Sequence, residues 1–293
     1  MKIKAFFLVF LGMIACKNER LQEGNFNIVQ KETNDKINQE IKDTLSIFSE
    51  ENLELDQEKT KSNKRKRLIE AEDDIIELQE LVTTKTFYKE EEQYILNYRY
   101  PYFSEKKNSS YSIFNDYIKD NYLNIEKTEN QILEDKELIC DTLKSKEYRD
   151  KRSIDYKIYT IKNHFISVLF YTENHYSKTQ QTSYTFDCLN FNLKNHRFIS
   201  YNDFFENDSE KELLAIINRI INNAINSGEL YYDCWELSTH DFKVYKSNFV
   251  IYDNTIEFYF DDCIICPSYT GTYSVEVPIK DIKHIIRGST YLL

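Results

Sequence analysis

An α+β fold, with antiparallel hairpins and amphipathic helices packed on one face, is predicted by three features of the sequence. An apolar stripe at helical spacing runs through residues 209–227. Aromatic-rich segments that alternate with period two, separated by short Asn, Asp and Lys turns, lie on both sides of it. With 5 glycines and 3 prolines in 293 residues, the chain lacks the glycine-rich strand-to-helix turns of doubly wound folds, and the loops that cradle nucleotide phosphates are absent with them.

The chain begins with Lys2 and Lys4 before an 11-residue apolar run, Ala5 to Ala15. That length is too short to span a bilayer and suits the hydrophobic region of a signal peptide. Met13-Ile14-Ala15-Cys16 resembles a bacterial lipobox, which predicts a signal peptide over 1–15 and an acylated Cys16 as the first mature residue. The alternative is an ordinary secretory signal with an incidental cysteine. Acyl chains contribute about 0.8 kcal/mol per buried methylene, so two or three hold a domain on a bilayer without a transmembrane helix. The expected location is the bacterial cell envelope, lipid-anchored, on the periplasmic or outer surface. Residues 16–83 are highly charged, with helical spacing at Ile37, Ile41, Leu45 and Phe48 and again at Leu68, Ile75 and Val82. They read as a helical or disordered tether, and Lys64-Arg65-Lys66-Arg67 as a solvated helix face.

From residue 84 the pattern is globular, and two α+β domains are expected, 84–205 and 206–293. Phe87, Tyr94, Leu96, Tyr98, Tyr100 and Tyr102 alternate as in a strand ending near Pro101 to Phe103. Ile113, Phe114, Tyr117, Ile118, Tyr122, Ile125, Ile132, Ile139 and Leu143 keep helical intervals, as one long helix or two joined ones. A hairpin follows: Ile154, Tyr156 and Ile158, a turn at Lys162-Asn163, then Phe165 to Tyr171. A further strand, Thr182 to Leu193, turns at Lys194-Asn195. The helix at 209–227 carries Leu213, Leu214, Ile216, Ile217, Ile220, Ile221, Ala224 and Ile225 on one stripe. Ser209 and Glu212 predict a capping box, and Gly228 the C-terminal stop. Strands are expected at Phe242–Tyr245, Phe249–Tyr252, Ile256–Phe260 and Tyr273–Val277, with a turn at Asp253-Asn254.

Two segments carry a family resemblance. Tyr98-Arg99-Tyr100-Pro101-Tyr102-Phe103, Asn108 and Ile113-Phe114-Asn115-Asp116-Tyr117-Ile118 form the first. The second is Phe258-Tyr259-Phe260, Cys266-Pro267-Ser268-Tyr269-Thr270-Gly271, Val275-Glu276-Val277-Pro278-Ile279 and Ile282. Between them stand Phe191-Asn192-Leu193 and Asp203-Phe204-Phe205. Together, over roughly 84–288, they resemble an extracytoplasmic domain pair of unknown function. That pair is similar to the external domain of lysozyme-sensing anti-sigma factors and to the N-terminal region of a peptidoglycan deacetylase. The sequence holds neither a sigma-binding helix nor a catalytic deacetylase domain, so the resemblance implies binding or sensing at the envelope, not an activity.

Charge and composition narrow the partners. Against 38 Lys+Arg stand 49 Asp+Glu, a formal charge of -11; loss of Lys2 and Lys4 with the signal takes it to -13. This excludes nucleic-acid binding through net charge and favours basic partners. The five histidines, at 164, 175, 196, 240 and 284, include no pair spaced to hold a metal on one helix face. No Gly-x-Ser-x-Gly elbow occurs, and neither metal nor cofactor is expected. The alternative reading, an envelope carbohydrate hydrolase or deacetylase-like enzyme, would draw on His240, Asp241, Asp261 and Asp262. A second alternative is a structural spacer. With Cys16 acylated, Cys140, Cys188, Cys234, Cys263 and Cys266 remain, enough for two bridges and one thiol. The Cys263-Ile264-Ile265-Cys266 spacing would put the two sulfurs on opposite faces of an extended strand. A disulfide from one of them to Cys234 or another cysteine is the preferred reading. His175, Tyr184, Tyr269 and Tyr273, with Tyr232, Trp235 and Tyr259, are candidates for contacting peptidoglycan or a basic protein, or else form half-buried sheet.

Overall fold

The structure, a computed structural model, describes residues 81–137, 149–162, 165–176 and 181–287, all within one compact unit, Asp56–Leu293. The expected signal segment, acylated Cys16, the tether up to residue 80, Cys140, and Ile139 and Leu143 of the helical run lie outside these residues.

The described residues form two sheets. The first has six strands in sequence order: β1 Val82–Glu90, β2 Tyr94–Phe103, β3 Asp150–Lys162, β4 Phe165–Tyr176, β5 Gln181–Asn192 and β6 Arg197–Phe198. The second has three: β7 Phe249–Ile251, β8 Thr255–Tyr259 and β9 Ser274–Pro278. Between β2 and β3 lie α1 Tyr111–Tyr117, a π-helical turn Ile118–Leu123 and α2 Ile125–Glu137. Then come α3 Tyr201–Phe204, α4 Glu210–Ser227, α5 Thr239–Tyr245 and, after β9, α6 Ile279–Ile282. The fold is mixed α+β with antiparallel pairing, except that β2 and β3 run parallel, the α1–α2 segment serving as the crossover a parallel pair requires.

Strand parity builds the layers. On β4, Ile166, Val168 and Phe170 face α1 and α2 with Phe114, Ile118, Leu123 and Ile132, forming one core. Leu169 and Tyr171 face the other way and meet Tyr184, Phe186, Val250, Tyr259 and Tyr273 in a second core between the sheets. On the far side of the small sheet, Phe249, Ile251, Ile256, Phe258, Val275 and Val277 pack against Leu213, Ile217 and Ile221 of α4. Burial of each such side chain is worth about 1.5–3 kcal/mol. Asn115 fastens α1 to the end of β2: its Oδ1 accepts the Phe103 N–H and its Nδ2 donates to the Phe103 carbonyl, both at 2.9 Å.

Several expectations are corrected. The alternation expected through Tyr102 slips by one at Pro101, so that Pro101 and Phe103 are buried and Tyr102 is exposed. Pairing with β3 ends at Tyr98, before the proline that has no N–H to donate. The helical run divides at Asn124, whose φ is 29°. Phe242–Tyr245 is not a strand but the body of α5: the Ser238 hydroxyl accepts the Asp241 N–H at 3.1 Å and donates to its carboxylate at 2.6 Å, so local capping overrides aromatic strand preference. Ser209 forms no capping box. Its hydroxyl donates to the Glu206 carbonyl and meets the Tyr201 hydroxyl, while Glu212 pairs with His284. The box forms instead at Ser200 and Asp203, at the start of α3. Gly228 stops α4 in the left-handed region, φ 79°, as expected.

The sheets are joined by hydrogen bonds as well as apolar contact. One edge of β7 pairs with β8; the other meets side chains of the large sheet. Ser167 Oγ accepts the Ile251 N–H at 2.9 Å and donates to Asn190 Oδ1 at 2.7 Å. Asn190 Nδ2 donates to the Phe249 carbonyl at 2.7 Å, and Thr160 Oγ1 to the Ile251 carbonyl at 2.7 Å. Just before β7, Asn248 accepts from Cys188 N–H and donates to the carbonyls of Phe186 and Tyr259.

Replacing Asn190 by Leu strands the buried Phe249 carbonyl and the Ser167 hydroxyl. The expected loss is about 2–4 kcal/mol, seen in urea unfolding as a lower midpoint at unchanged slope. An unchanged midpoint would show that the seam is held by apolar contact alone.

Candidate functional site

Two loops meet at one end of the small sheet. The first, residues 229–238, leaves α4 after Gly228 and enters α5 at Ser238; the second, residues 260–273, joins β8 to β9. A disulfide, Cys234–Cys266, ties them across 32 residues, with 4.1 Å between the Cα atoms. Trp235 adds two bonds, its backbone N–H to the Ile265 carbonyl and its indole Nε1 to the Ile264 carbonyl, each at 2.9 Å. Beneath, Cys234, Leu237, Ile265 and Cys266 are buried in the core under α4.

The outer face of this loop pair is aromatic and acidic. Tyr231, Tyr232 and Trp235 keep 47%, 89% and 40% of their surface exposed, and the Tyr231 ring stands edge-on to Tyr269 at 6.1 Å. Glu229, Asp233, Glu236, Asp261 and Asp262 belong to the same two segments, which contain no Lys, Arg or His. Large rings held at a surface by a covalent brace mark a contact site more than a core. The surrounding carboxylates favour a cationic counterpart.

The other residues predicted from sequence fall into two groups. Tyr269 lies on the loop face, in the single turn Ser268–Thr270. Tyr184 and Tyr273 are buried between the sheets, Tyr184 stacked on Tyr171 with centroids 5.8 Å apart and Tyr273 likewise 5.8 Å from Tyr184. Tyr259 is also buried there, its hydroxyl meeting that of Tyr159. His175, at the outer end of β4, has Nδ1 3.2 Å from the Thr182 hydroxyl across the hairpin. Cys263 and Cys266 do not share an extended strand. They sit in a tight turn with Cys263 at φ 63°, and Cys266 takes the bridge. Cys188 on β5 is a thiol that burial pushes well above its ordinary pKa.

Of the acid and base groups weighed for hydrolysis, His240 is exposed on α5 and Asp241 is engaged in its cap. Asp261 Oδ1 accepts the Phe186 N–H at 2.9 Å and Oδ2 the Tyr245 hydroxyl at 3.1 Å, so this carboxylate links β5, the loop and α5. Burial raises its pKa; the two hydrogen bonds oppose the shift, while Asp187 and Asp262 add to it. Asp262 accepts from Ser268 Oγ at 2.8 Å. Among the described residues no three His, Cys, Asp or Glu side chains group as a metal site. Tyr231 was missed by sequence reasoning. The available signal was the run Tyr231-Tyr232-Asp233-Cys234-Trp235-Glu236 directly after a helix stop, where rings have no periodic face to bury.

Residues 202–280 match a family described as a protein of unknown function, DUF3298. Among solved structures, a DUF3298-family protein of Bacteroides fragilis is 14% identical, covering 72% of this chain and 96% of its own, at a TM-score of 0.48. A DUF3298-family protein of Pseudomonas aeruginosa is 10% identical, covering 71% and 94%, at a TM-score of 0.50. At such identities the likeness to the latter is one of fold. No curated protein sequence matches the chain.

The brace closes a loop of 32 residues, for which chain entropy gives a stabilisation of about 3–4 kcal/mol. A Cys234→Ala, Cys266→Ala double variant should therefore lose about that much unfolding free energy, read as a lower denaturant midpoint, with Trp235 fluorescence shifted to the red as the loop loosens. For Asp261, a folded pKa raised above the unfolded one gives stability that is full below the unfolded value and lost as pH rises through the folded one. Urea midpoints should fall as pH rises from about 4, and Asp261→Asn should flatten that fall. Equal pH slopes in both proteins would assign the dependence to other groups.

Proposed function

We propose that this chain is a non-catalytic cell-envelope lipoprotein, anchored in the bilayer through acylated Cys16, whose folded part binds or senses peptidoglycan or a basic wall-acting protein such as lysozyme. In this reading 1–15 is the signal, the expected tether of 16–83 is shortened by β1, which already begins at Val82, and the 84–205 and 206–293 segments carry the recognition. The observation that carries it is the disulfide-braced surface of Tyr231, Tyr232, Trp235 and Tyr269 with the exposed carboxylates of Glu229 and Glu236 beside it. Aromatic faces suit both sugar rings and the aliphatic stems of Lys and Arg. Exposed carboxylates steer positively charged proteins and hold them at low salt. Hydrolysis by His240, Asp241, Asp261 and Asp262 is less well supported, because Asp241 and Asp261 are occupied by bonds that hold α5 and β5 in place. The family match names no activity.

The purified full chain should co-sediment with peptidoglycan sacculi, or capture lysozyme in a salt-sensitive manner. Tyr232→Ala with Trp235→Ala should weaken the interaction at least tenfold, about 1.4 kcal/mol or more. Absence of both interactions at low salt would sink the reading and leave the spacer ahead, whereas turnover of a wall substrate would favour the enzyme.

A further inference from the structure

β1, Val82–Glu90, forms one border of the six-stranded sheet, and among the described residues it pairs only with β2. It is nine residues long, holds neither glycine nor proline, and keeps its register with β2 from Val82 opposite Phe103 to Glu90 opposite Ile95 without a bulge. Thr83, Thr84, Lys85, Thr86, Tyr88 and Glu90 are exposed, Tyr88 at 61%. The strand at the opposite border, β6, has two residues. A long, unbroken border is a template for another strand, and proteins blunt it by shortening, bulges, proline or outward lysines. Of these devices β1 has only the lysines, and both are turned onto their own molecule. Lys85 Nζ lies 5.0 Å from the centroid of the Tyr102 ring, and Lys89 Nζ 2.6 Å from Glu129 Oε1.

The order of side chains along the border selects the strand it accepts. Lys85 stands in its first half, and Glu90 and Glu91 at its end, so an antiparallel second copy sets unlike charges against each other. A two-fold axis between antiparallel border strands stands perpendicular to the sheet and keeps every side chain on its own face, so that residues oppose one another only within one parity. With the axis at residue 85 or 89 a lysine faces itself, at 87 Lys85 faces Lys89, and at 86 no unlike charges meet. With the axis at Tyr88, Lys85 of each copy faces Glu91 of the other, Phe87 faces Lys89, and the two Tyr88 rings face each other. Glu91 is exposed, and its carboxylate lies 3.7 Å from Lys89 Nζ, on the face this register requires. Opposed unlike charges and paired rings stabilise neighbouring strands, and directly opposed like charges destabilise them.

We propose that β1 is a homodimerisation edge: two copies of the chain pair antiparallel through Lys85 to Glu91 about a two-fold axis at Tyr88, joining their large sheets into one. The pairing gives the border of each copy backbone partners, and the two Lys85–Glu91 pairs hold the register against slippage. It uses no residue of the braced loop face and stands independently of the binding reading above.

Sedimentation velocity of the purified full chain from about 1 μM to about 1 mM should show a reversible equilibrium between monomer and dimer. Lys85→Glu and Glu91→Lys should each weaken dimerisation at least tenfold, and the two together, which restore unlike charges across the axis, should return it to within about threefold of the parent. Thermal melts followed by circular dichroism at the lowest concentration confirm that each variant is folded. Under copper-catalysed air oxidation, Tyr88→Cys should give a covalent dimer joined at position 88, and Thr86→Cys, which faces Glu90, should not. A chain that stays monomeric up to about 1 mM overturns the proposal, and is the result expected if residues ahead of β1 occupy the border. A dimer indifferent to both charge reversals, or one that cross-links at position 86 and not at 88, overturns it as well by assigning the contact to another surface or register.

Discussion

The closure of β7's outer edge by side chains of the other sheet is the constraint on which the rest of the structure depends. A three-residue strand at a sheet edge exposes N–H and C=O groups that must be paired wherever water is excluded. Ser167, Asn190 and Thr160 serve those groups, and their spacing on β3, β4 and β5 fixes where β7 lies against the large sheet. Apolar burial between Leu169, Phe186, Val250 and Tyr259 supplies energy but little direction, because hydrophobic contact tolerates sliding. The polar bonds do not.

Once β7 is set, β8 and β9 follow by pairing, and the loop between them is brought over the end of β5. Asp261 and Asp262 complete that docking by bonds to Phe186 and Tyr184. The neighbouring loop, leaving α4 at Gly228, is then pinned by Cys234–Cys266 and by Trp235. The aromatic surface therefore stands on a frame that reaches from the interior of the large sheet to the outermost rings through covalent and hydrogen-bonded steps. In the proposed binding reading, a loop backbone braced in this way reduces the ordering cost of association.

The chain spends polar residues unevenly. At the seam Asn190 and Ser167 each donate and accept a hydrogen bond that serves the architecture, whereas the buried Tyr273 hydroxyl has no hydrogen-bond partner among the described residues.

Local pattern was enough for α4 and its Gly228 stop, for the β3–β4 hairpin, and for the turn after Asn192, where the side-chain oxygen accepts the Lys194 N–H. These signals lie within one element, where periodicity and turn chemistry act over a few residues. Sequence also marked Cys234, Cys266, Tyr232 and Trp235 as residues of interest. Only the tertiary structure decided that β2 runs parallel to β3, that Phe242–Tyr245 coils as a helix, and that Ser209 turns to Tyr201 instead of capping α4. It alone separated the tyrosines, burying Tyr184, Tyr259 and Tyr273 while exposing Tyr231 and Tyr232. A period-two strand has two faces that its own residues cannot tell apart when both are aromatic. Which one meets water is decided by whatever segment, distant in the chain, comes to cover the other.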